Sequence, residues 1–347
     1  MSEAVRTSPS DTALAVIPCL NERAHIEQLV PSLLADPGWA DPLILIVDGG
    51  STDGTAAAAA DLALRDSRVR LLHNPKRVQS AAVNLAVRTL GHDRRWFVRI
   101  DAHAEYPPGY VSTLVREARE TGAQSVVVAM QTRGRSQFQR AVALAQNSRL
   151  GTGGSAHRLG GPEGFVEHGH HALMERAAFL SAGGYDESFT HNEDAEFDAR
   201  LRRRGGRIWL TRKTWVVYYP RSRPGPLFRQ YYNYGRGRAR TLLAHRERPR
   251  LRQILPMAVA PSLAALPVAL AWPPAALPAV AWTVLCLVYG TVLAGTRRSM
   301  AGLAAGPAAM IMHAAWSMGF WRQLAQSRRR ATGPLQIADP TAAGSGK

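Results

Sequence analysis

Trp96-Phe97-Val98-Arg99-Ile100-Asp101-Ala102-His103-Ala104-Glu105-Tyr106-Pro107 is the stretch on which the reading of this chain turns. A short apolar run rich in aromatic and β-branched residues is a buried strand, and Pro107-Pro108-Gly109 forbids its continuation. Asp101 and His103 therefore stand at a strand's C-terminal edge, where open α/β sheets bind their ligands and side chains two apart turn toward one point. A carboxylate and an imidazole placed there suit a divalent cation. A helix-capping Asp beside a surface His is the alternative, and these residues by themselves do not choose between the two.

Outward from this stretch the same alternation recurs. Strands are expected at 13–17, 43–47, 69–73, 96–101 and 125–130, with helices at 24–34, 55–64, 79–90 and 110–121 between them. Repeated β-α-β units predict an α/β fold with a mostly parallel central sheet and helices on both faces. Several strand ends carry polar residues. Pro18-Cys19-Leu20-Asn21-Glu22 follows the first, Asp48 ends the second before Gly49-Gly50-Ser51-Thr52-Asp53-Gly54, Lys76-Arg77 follows the third, and Asp101 ends the fourth. Cations at such a rim suit phosphates. The glycine loop is neither G-x-G-x-x-G nor G-x-x-x-x-G-K-[ST], so a dinucleotide fold and a P-loop ATPase are both unsupported.

Pro18-x-x-Asn21-Glu22, Val47 to Thr55 and Arg99-Ile100-Asp101-Ala102-His103 together resemble the family 2 inverting glycosyltransferases of GT-A fold, in particular the branch that assembles exopolysaccharides. The resemblance covers about 13–245. It implies a nucleotide-sugar site of Pro18, Asn21, Glu22, Asp48, Ser51, Asp53, Arg77, Asn84 and Asp101, with Asp48 and the Asn-Glu pair at the nucleoside. The family's Asp-x-Asp metal motif is here Asp101-x-His103. Imidazole is a softer ligand than carboxylate, so Mn²⁺ and Mg²⁺ both stay open as the cofactor.

The half from 131 to 245 is expected to bind the acceptor. A helix is predicted at 138–150 and a Gly-rich stretch at 151–162, which is a lid, an acceptor wall or a plain connection. Glu167-His168-Gly169-His170-His171 is too crowded, and too far from any Cys, to make a good zinc site. The resemblance places it beside the acceptor cleft, with His168 or His170 touching substrate. Glu193-Asp194 begins a helix, where an acidic pair suits the dipole. The family's Asn/Thr-Glu-Asp motif falls on Asn192-Glu193-Asp194 and makes Asp194 the catalytic base, with Glu193 beside the acceptor. Further strands are expected at 208–210 and 215–219, then a helix over 227–243 that carries Gln230, Arg236 and Arg238. These arginines reach a diphosphate, an acceptor phosphate or lipid headgroups. Processive relatives carry Gln-x-x-Arg-Trp where this chain has Gln230-x-x-Asn233-Tyr234, which favours single addition.

No charged residue occurs from Ile254 to Thr296. That length accommodates two membrane-spanning helices, about 254–272 and 275–295, with Trp272-Pro273-Pro274 between them and basic residues on both flanks. A third apolar segment, 300–321, spans, re-enters or lies in the interface. The segments 1–12 and 331–347 are expected to be disordered.

The 347 residues carry a net charge of +17, with a pI of about 10.9, which calls for an anionic partner. The arginines follow no helix-turn-helix, zinc-finger or RNP pattern, so a nucleic-acid partner is disfavoured. The resulting expectation is a transferase at the cytoplasmic membrane, facing the cytoplasm, that moves a hexose from a UDP-sugar to a lipid-linked saccharide. A saccharide-binding protein without turnover and a nucleotidyltransferase are the rivals.

Overall fold

The computed structural model describes residues 12–154, 158, 161–249 and 251–332. The predicted alternation is present as β1 (Ala13–Cys19), α1 (Arg23–Leu34), β2 (Leu43–Asp48), α2 (Thr55–Arg65), β3 (Val69–His73), α3 (Gln79–Thr89), β4 (Trp96–Arg99), α4 (Tyr110–Thr121) and β5 (Ser125–Thr132). The second half adds α5 (Gln137–Gln146), α6 (Arg149–Thr152), β6 (Gly164–Val166), β7 (His170–Glu175), α7 (Arg176–Ser181), α8 (Glu193–Arg203), β8 (Ile208–Tyr218) and α9 (Pro224–His245).

The strands form one sheet in the order β3-β2-β1-β4-β7-β5-β8-β6. Among the described residues six strands share a direction, and only β7 and β6 run against their neighbours. Leu14 to Ile17 and Ile44 to Val47 are fully buried without alternation, as strands covered on both faces must be. One face packs on Ile26, Val30 and Leu33 of α1 and Leu114 of α4. The other packs on Val83 and Val87 of α3 and Phe197 of α8. Because a strand has period two, Trp96 and Val98 enter the first layer while Phe97 enters the second. Arg99 shares the parity of Phe97 and so points at α8.

Three elements differ from the sequence reading. β4 stops at Arg99, and Asp101 to Ala104 form a turn closed by the Ala104 N–H on the Asp101 carbonyl at 3.1 Å. The stretches 208–210 and 215–219 are one strand, with residues 212–214 bulged out where Val128 pairs with Thr211 and Ala129 with Trp215. The helix over 138–150 is two, α5 and α6, divided where Asn147 ends α5 and ties its side-chain amide to the Thr132 backbone at 3.3 and 2.8 Å, and Ser148 caps the start of α6.

The C-terminal part contains α10 (Leu251–Met257), α11 (Val259–Ala264), 3₁₀ turns at Leu266–Leu270 and Pro273–Ala276, α12 (Leu277–Thr296) and α13 (Ala301–Thr332). The expected first span over 254–272 is therefore not one helix. Pro256, Pro261 and Pro267 each remove an N–H and crowd the preceding turn, so this uncharged run bends repeatedly. Among the described residues a single helical run, Pro273–Thr296 with mean hydropathy 1.9, is long and apolar enough to cross a membrane. The third segment belongs to α13, whose Ala305, Ala309 and Met312 pack with Val142 of α5 and Leu227 of α9. Glycines bring these backbones together: a Cβ on Gly319 would sit 2.0 Å from the Tyr232 carbonyl, and one on Gly306 would sit 2.5 Å from that of Cys286. Apart from Thr12 and the helical backbone of 331–332, the segments 1–12 and 331–347 lie outside the described residues. So do 155–157 and 159–160 of the Gly-rich stretch.

Candidate active site

Two loops build the rim above β1 and β2 by binding each other. Ser51 Oγ accepts from the Asn21 N–H at 2.8 Å, and Asn21 Oδ1 accepts from Thr52 N–H at 2.8 Å. Asp53 takes the Arg23 N–H at 3.2 Å, and Asp48 accepts from Gly50 and Ser51 at 2.9 and 3.1 Å. Asn21, Ser51, Asp53 and the buried Asp48 thus shape the loops with their side chains. Asn84 is displaced further from expectation. It is buried on α3 and clamps the Tyr185 backbone at 2.8 and 2.9 Å and Glu187 at 3.0 Å, so its amide holds the turn before α8.

A cavity of about 1940 Å³ opens beside this rim, lined by Pro18, Glu22, Arg77, Asp101, His103, His168, His170, Glu193, Asp194, Gln230 and Arg238. Arg77 reaches back to the carbonyls of Gly49 and Gly50, both at 3.1 Å. On α9, Gln230, Tyr234 and Arg238 share a face toward the cavity, while Arg236, two residues out of step, is exposed and is not among the lining residues. Gln230 donates to Tyr218 and Tyr234 at 2.8 and 3.0 Å, and its buried Oε1 has no partner among the described residues.

Arg99 is the hub. Its guanidinium is 5% exposed and meets Asp194 at 2.5 and 3.3 Å, Asp101 at 3.8 Å and Glu193 at 3.8 Å. Burial disfavours an ionised Asp194, but Arg99, His171 and His170 prevail and hold it well below the usual carboxylate range. Glu193 is the opposite case: burial and the Asp194 charge push it up to about 7. Among the described residues the N-cap Asn192 makes no side-chain cap on α8, and the Asp194 carboxylate in the first turn is bound by Arg99.

Behind Asp194 lies a second layer that the sequence did not reveal. His171 is fully buried, with Nδ1 2.6 Å from the Tyr185 hydroxyl and 3.4 Å from Asp194, and Nε2 2.7 Å from Asp198. The other Asp198 oxygen lies 2.7 Å from His168 Nδ1. Burial works against a charged His171, yet Asp198 and Asp194 raise its basicity. Two signals were available: an arginine in a strand with no exposed face, and Asp198 one helical turn beyond Asp194.

At the predicted metal position, Asp101 accepts from Gln79 at 2.9 Å and stands 3.6 Å from His170. Burial pushes His170 down to about 4, despite the opposing pull of Asp101. Glu22 holds His103 Nδ1 at 3.1 Å and His25 at 2.6 Å, so Nε2 is the His103 nitrogen that could hold a cation. Among the described residues no group of three or more His, Cys, Asp and Glu forms a complete cage. Two protein donors beside a large cavity fit a cation that shares its remaining positions with phosphate oxygens.

Residues 14–181 match the model of the glycosyl transferase family 2 domain. The chain is 55% identical, over 92% of its length and 97% of the relative's, to succinoglycan biosynthesis protein ExoA of Rhizobium meliloti (strain 1021). This chain belongs to glycosyl transferase family 2. The transferase is also 34% identical to the polyprenol monophosphomannose synthase of Mycolicibacterium smegmatis, over 34% of this chain and 45% of that protein. Among solved structures, mannosyltransferase PcManGT of Pyrobaculum calidifontis, in complex with GDP-Man and Mn²⁺, superposes with a TM-score of 0.58 at 17% identity, covering 91% of this chain and 88% of that one. That likeness carries the fold of the transferase.

Proposed function

We propose that this transferase is an inverting enzyme that moves one hexose, glucose by preference, from a UDP-sugar to a hydroxyl of a lipid-linked saccharide during exopolysaccharide synthesis. The observation that carries the proposal is the shared guanidinium of Arg99, which brings the donor-side carboxylate Asp101 and the acceptor-side carboxylate Asp194 to one point of the cavity. The 55% identity to the succinoglycan protein supports the pathway class, and the polyprenol relative supports a lipid acceptor.

Asp194 accepts the proton of the attacking hydroxyl, which approaches the anomeric carbon from the side opposite the nucleotide. Arg99 orients Asp194, and Arg77 and Arg238 bring positive charge toward the diphosphate. A divalent cation bound by Asp101 and His103 would supply further neutralisation of that leaving group. One displacement at the anomeric carbon inverts its configuration. Glu22 supports His103, and Gln230 offers its unpaired Oε1 to an acceptor hydroxyl.

The support for membrane attachment is α12. Leu277, Val280, Val284, Val288 and Val292 recur at helical spacing and are all exposed, forming an apolar stripe that water does not favour. The deciding experiment is UDP release by detergent-solubilised protein across a panel of UDP-sugars with and without Mn²⁺. Metal-dependent release with one donor, abolished in Asp194→Asn and Asp101→Ala, supports the assignment. Absence of release and product with every donor, when lipid-linked acceptor is supplied, rejects it.

A further inference from the structure

The cavity does not end at the sugar site. From Asp194 it continues past Tyr231 and Tyr234 into an arm between the C-terminal helices, where its walls become apolar. One wall is α12, which contributes Pro278, Ala281, Trp282, Leu285 and Tyr289. Those positions recur at three and four residues, so a single helical face is given to the cavity over about 16 Å. The facing wall comes from Val259 and Ser262 of α11 and Trp316 of α13. Leu285 is 57% exposed and stands beside the exposed Val284 and Val288, so the wall of the arm runs on into the apolar stripe, and that junction is where a lateral mouth is placed.

The junction of the two parts is cationic. Arg158 donates to Thr132 Oγ1 at 2.9 Å and lies 5.5 Å from the Tyr218 ring. Its charge reaches His170 on the polar side and Tyr231 on the apolar side. Exposed Arg221 and Arg229 line the same cavity. A carboxylate base, then arginine, then an apolar channel with a lateral mouth is the mirror of one kind of molecule: a sugar, an anionic phosphate link and a long hydrocarbon chain.

We infer that the arm between α11, α12 and α13 holds the proximal isoprenoid chain of the acceptor lipid, with its phosphate at Arg158 and the sugar hydroxyl at Asp194. This rests on the proposed transfer to a lipid-linked saccharide and assigns that acceptor its binding site. Branched isoprene units suit a channel walled by Pro, Ala, Trp and Tyr, and the lateral mouth lets the rest of the chain stay in the bilayer. The phosphate is selected by charge, whereas the chain is selected by the area it removes from water.

The test compares phosphate-linked acceptors carrying only a methyl group or a long polyprenyl chain, using the protein in detergent. For the wild type the polyprenyl acceptor has the lower KM. Ala281→Trp and Ser262→Phe, on opposite walls, each raise the ratio of polyprenyl to methyl KM about tenfold, because added side chains occupy the channel. A ratio that stays at the wild-type value in both variants overturns the inference. So does a wild-type KM indifferent to chain length, which would make the arm a site for bulk phospholipid. A diazirine-bearing polyprenyl phosphate gives a readout that needs no turnover. Crosslinks within 255–289 and 312–316, present also in Asp194→Asn, support the site. Crosslinks confined elsewhere reject it, whether or not UDP release has upheld the transferase reading.

Discussion

Arg99 shows how much one buried charge can organise. Its partners are three carboxylates from two elements, and removing it leaves them uncompensated in a buried setting. Arg99→Met is expected to destabilise the protein by about 3–5 kcal/mol in a denaturant titration and to abolish transfer, while Arg99→Lys keeps the charge but loses the two-pronged contact with Asp194. Asp194→Asn should leave donor KM near wild type and lower kcat by about 10²–10⁴-fold, with a smaller loss of stability than Arg99→Met because Asp101 and Glu193 still face the guanidinium. Asp198→Asn acts one layer back. It removes the carboxylate that sustains charge on His171, so Asp194 loses a cationic neighbour and becomes a stronger base. The acid limb of the kcat profile then moves to higher pH, a shift that loss of packing alone would not produce. Glu193 has the opposite linkage. Its folded value of about 7 lies above the ordinary 4.5, so its contribution to stability is complete below pH 4.5 and is lost as pH rises through 7. In Glu193→Gln the fall of Tm across that window should flatten, as differential scanning calorimetry would show.

At the scale of elements, what could be read in the sequence was what lies contiguous in it. A strand and its terminal polar residue are neighbours along the chain, so Asp101 and the rim loops were visible in a single stretch. The hub was not, because Arg99, His171 and Asp198 meet across β4, β7 and α8, and only the tertiary fold brings them together. The reading of 254–272 erred for another reason. Absence of charge signals an apolar setting, whereas prolines spaced five or six residues apart decide whether the backbone remains one helix. The helices beyond are joined by close backbone approach. Gly319 faces the Tyr232 carbonyl and Gly235 faces that of Trp316, so a side chain at either point forces α9 and α13 apart. Gly319→Val should lower Tm markedly and increase protease cleavage after α9, whereas a substitution at Gly295, where a Cβ meets nothing within 4 Å, should do neither.

For the molecule as a whole, charge and apolar surface act at different ranges. In the proposed membrane attachment the net +17 would draw the protein toward anionic lipid through a field that salt screens, and the stripe on α12 would hold it there through buried area that salt does not weaken. Raising ionic strength should therefore slow vesicle binding while leaving much of the bound protein in place, as flotation at low and high salt would show. The inferred lateral entry of the acceptor has a kinetic counterpart. A substrate that arrives sideways, without passing through water, is counted per unit of interface and not per litre. At constant total acceptor, adding inert detergent should slow the enzyme by surface dilution, and velocity should follow the mole fraction of acceptor in the micelle.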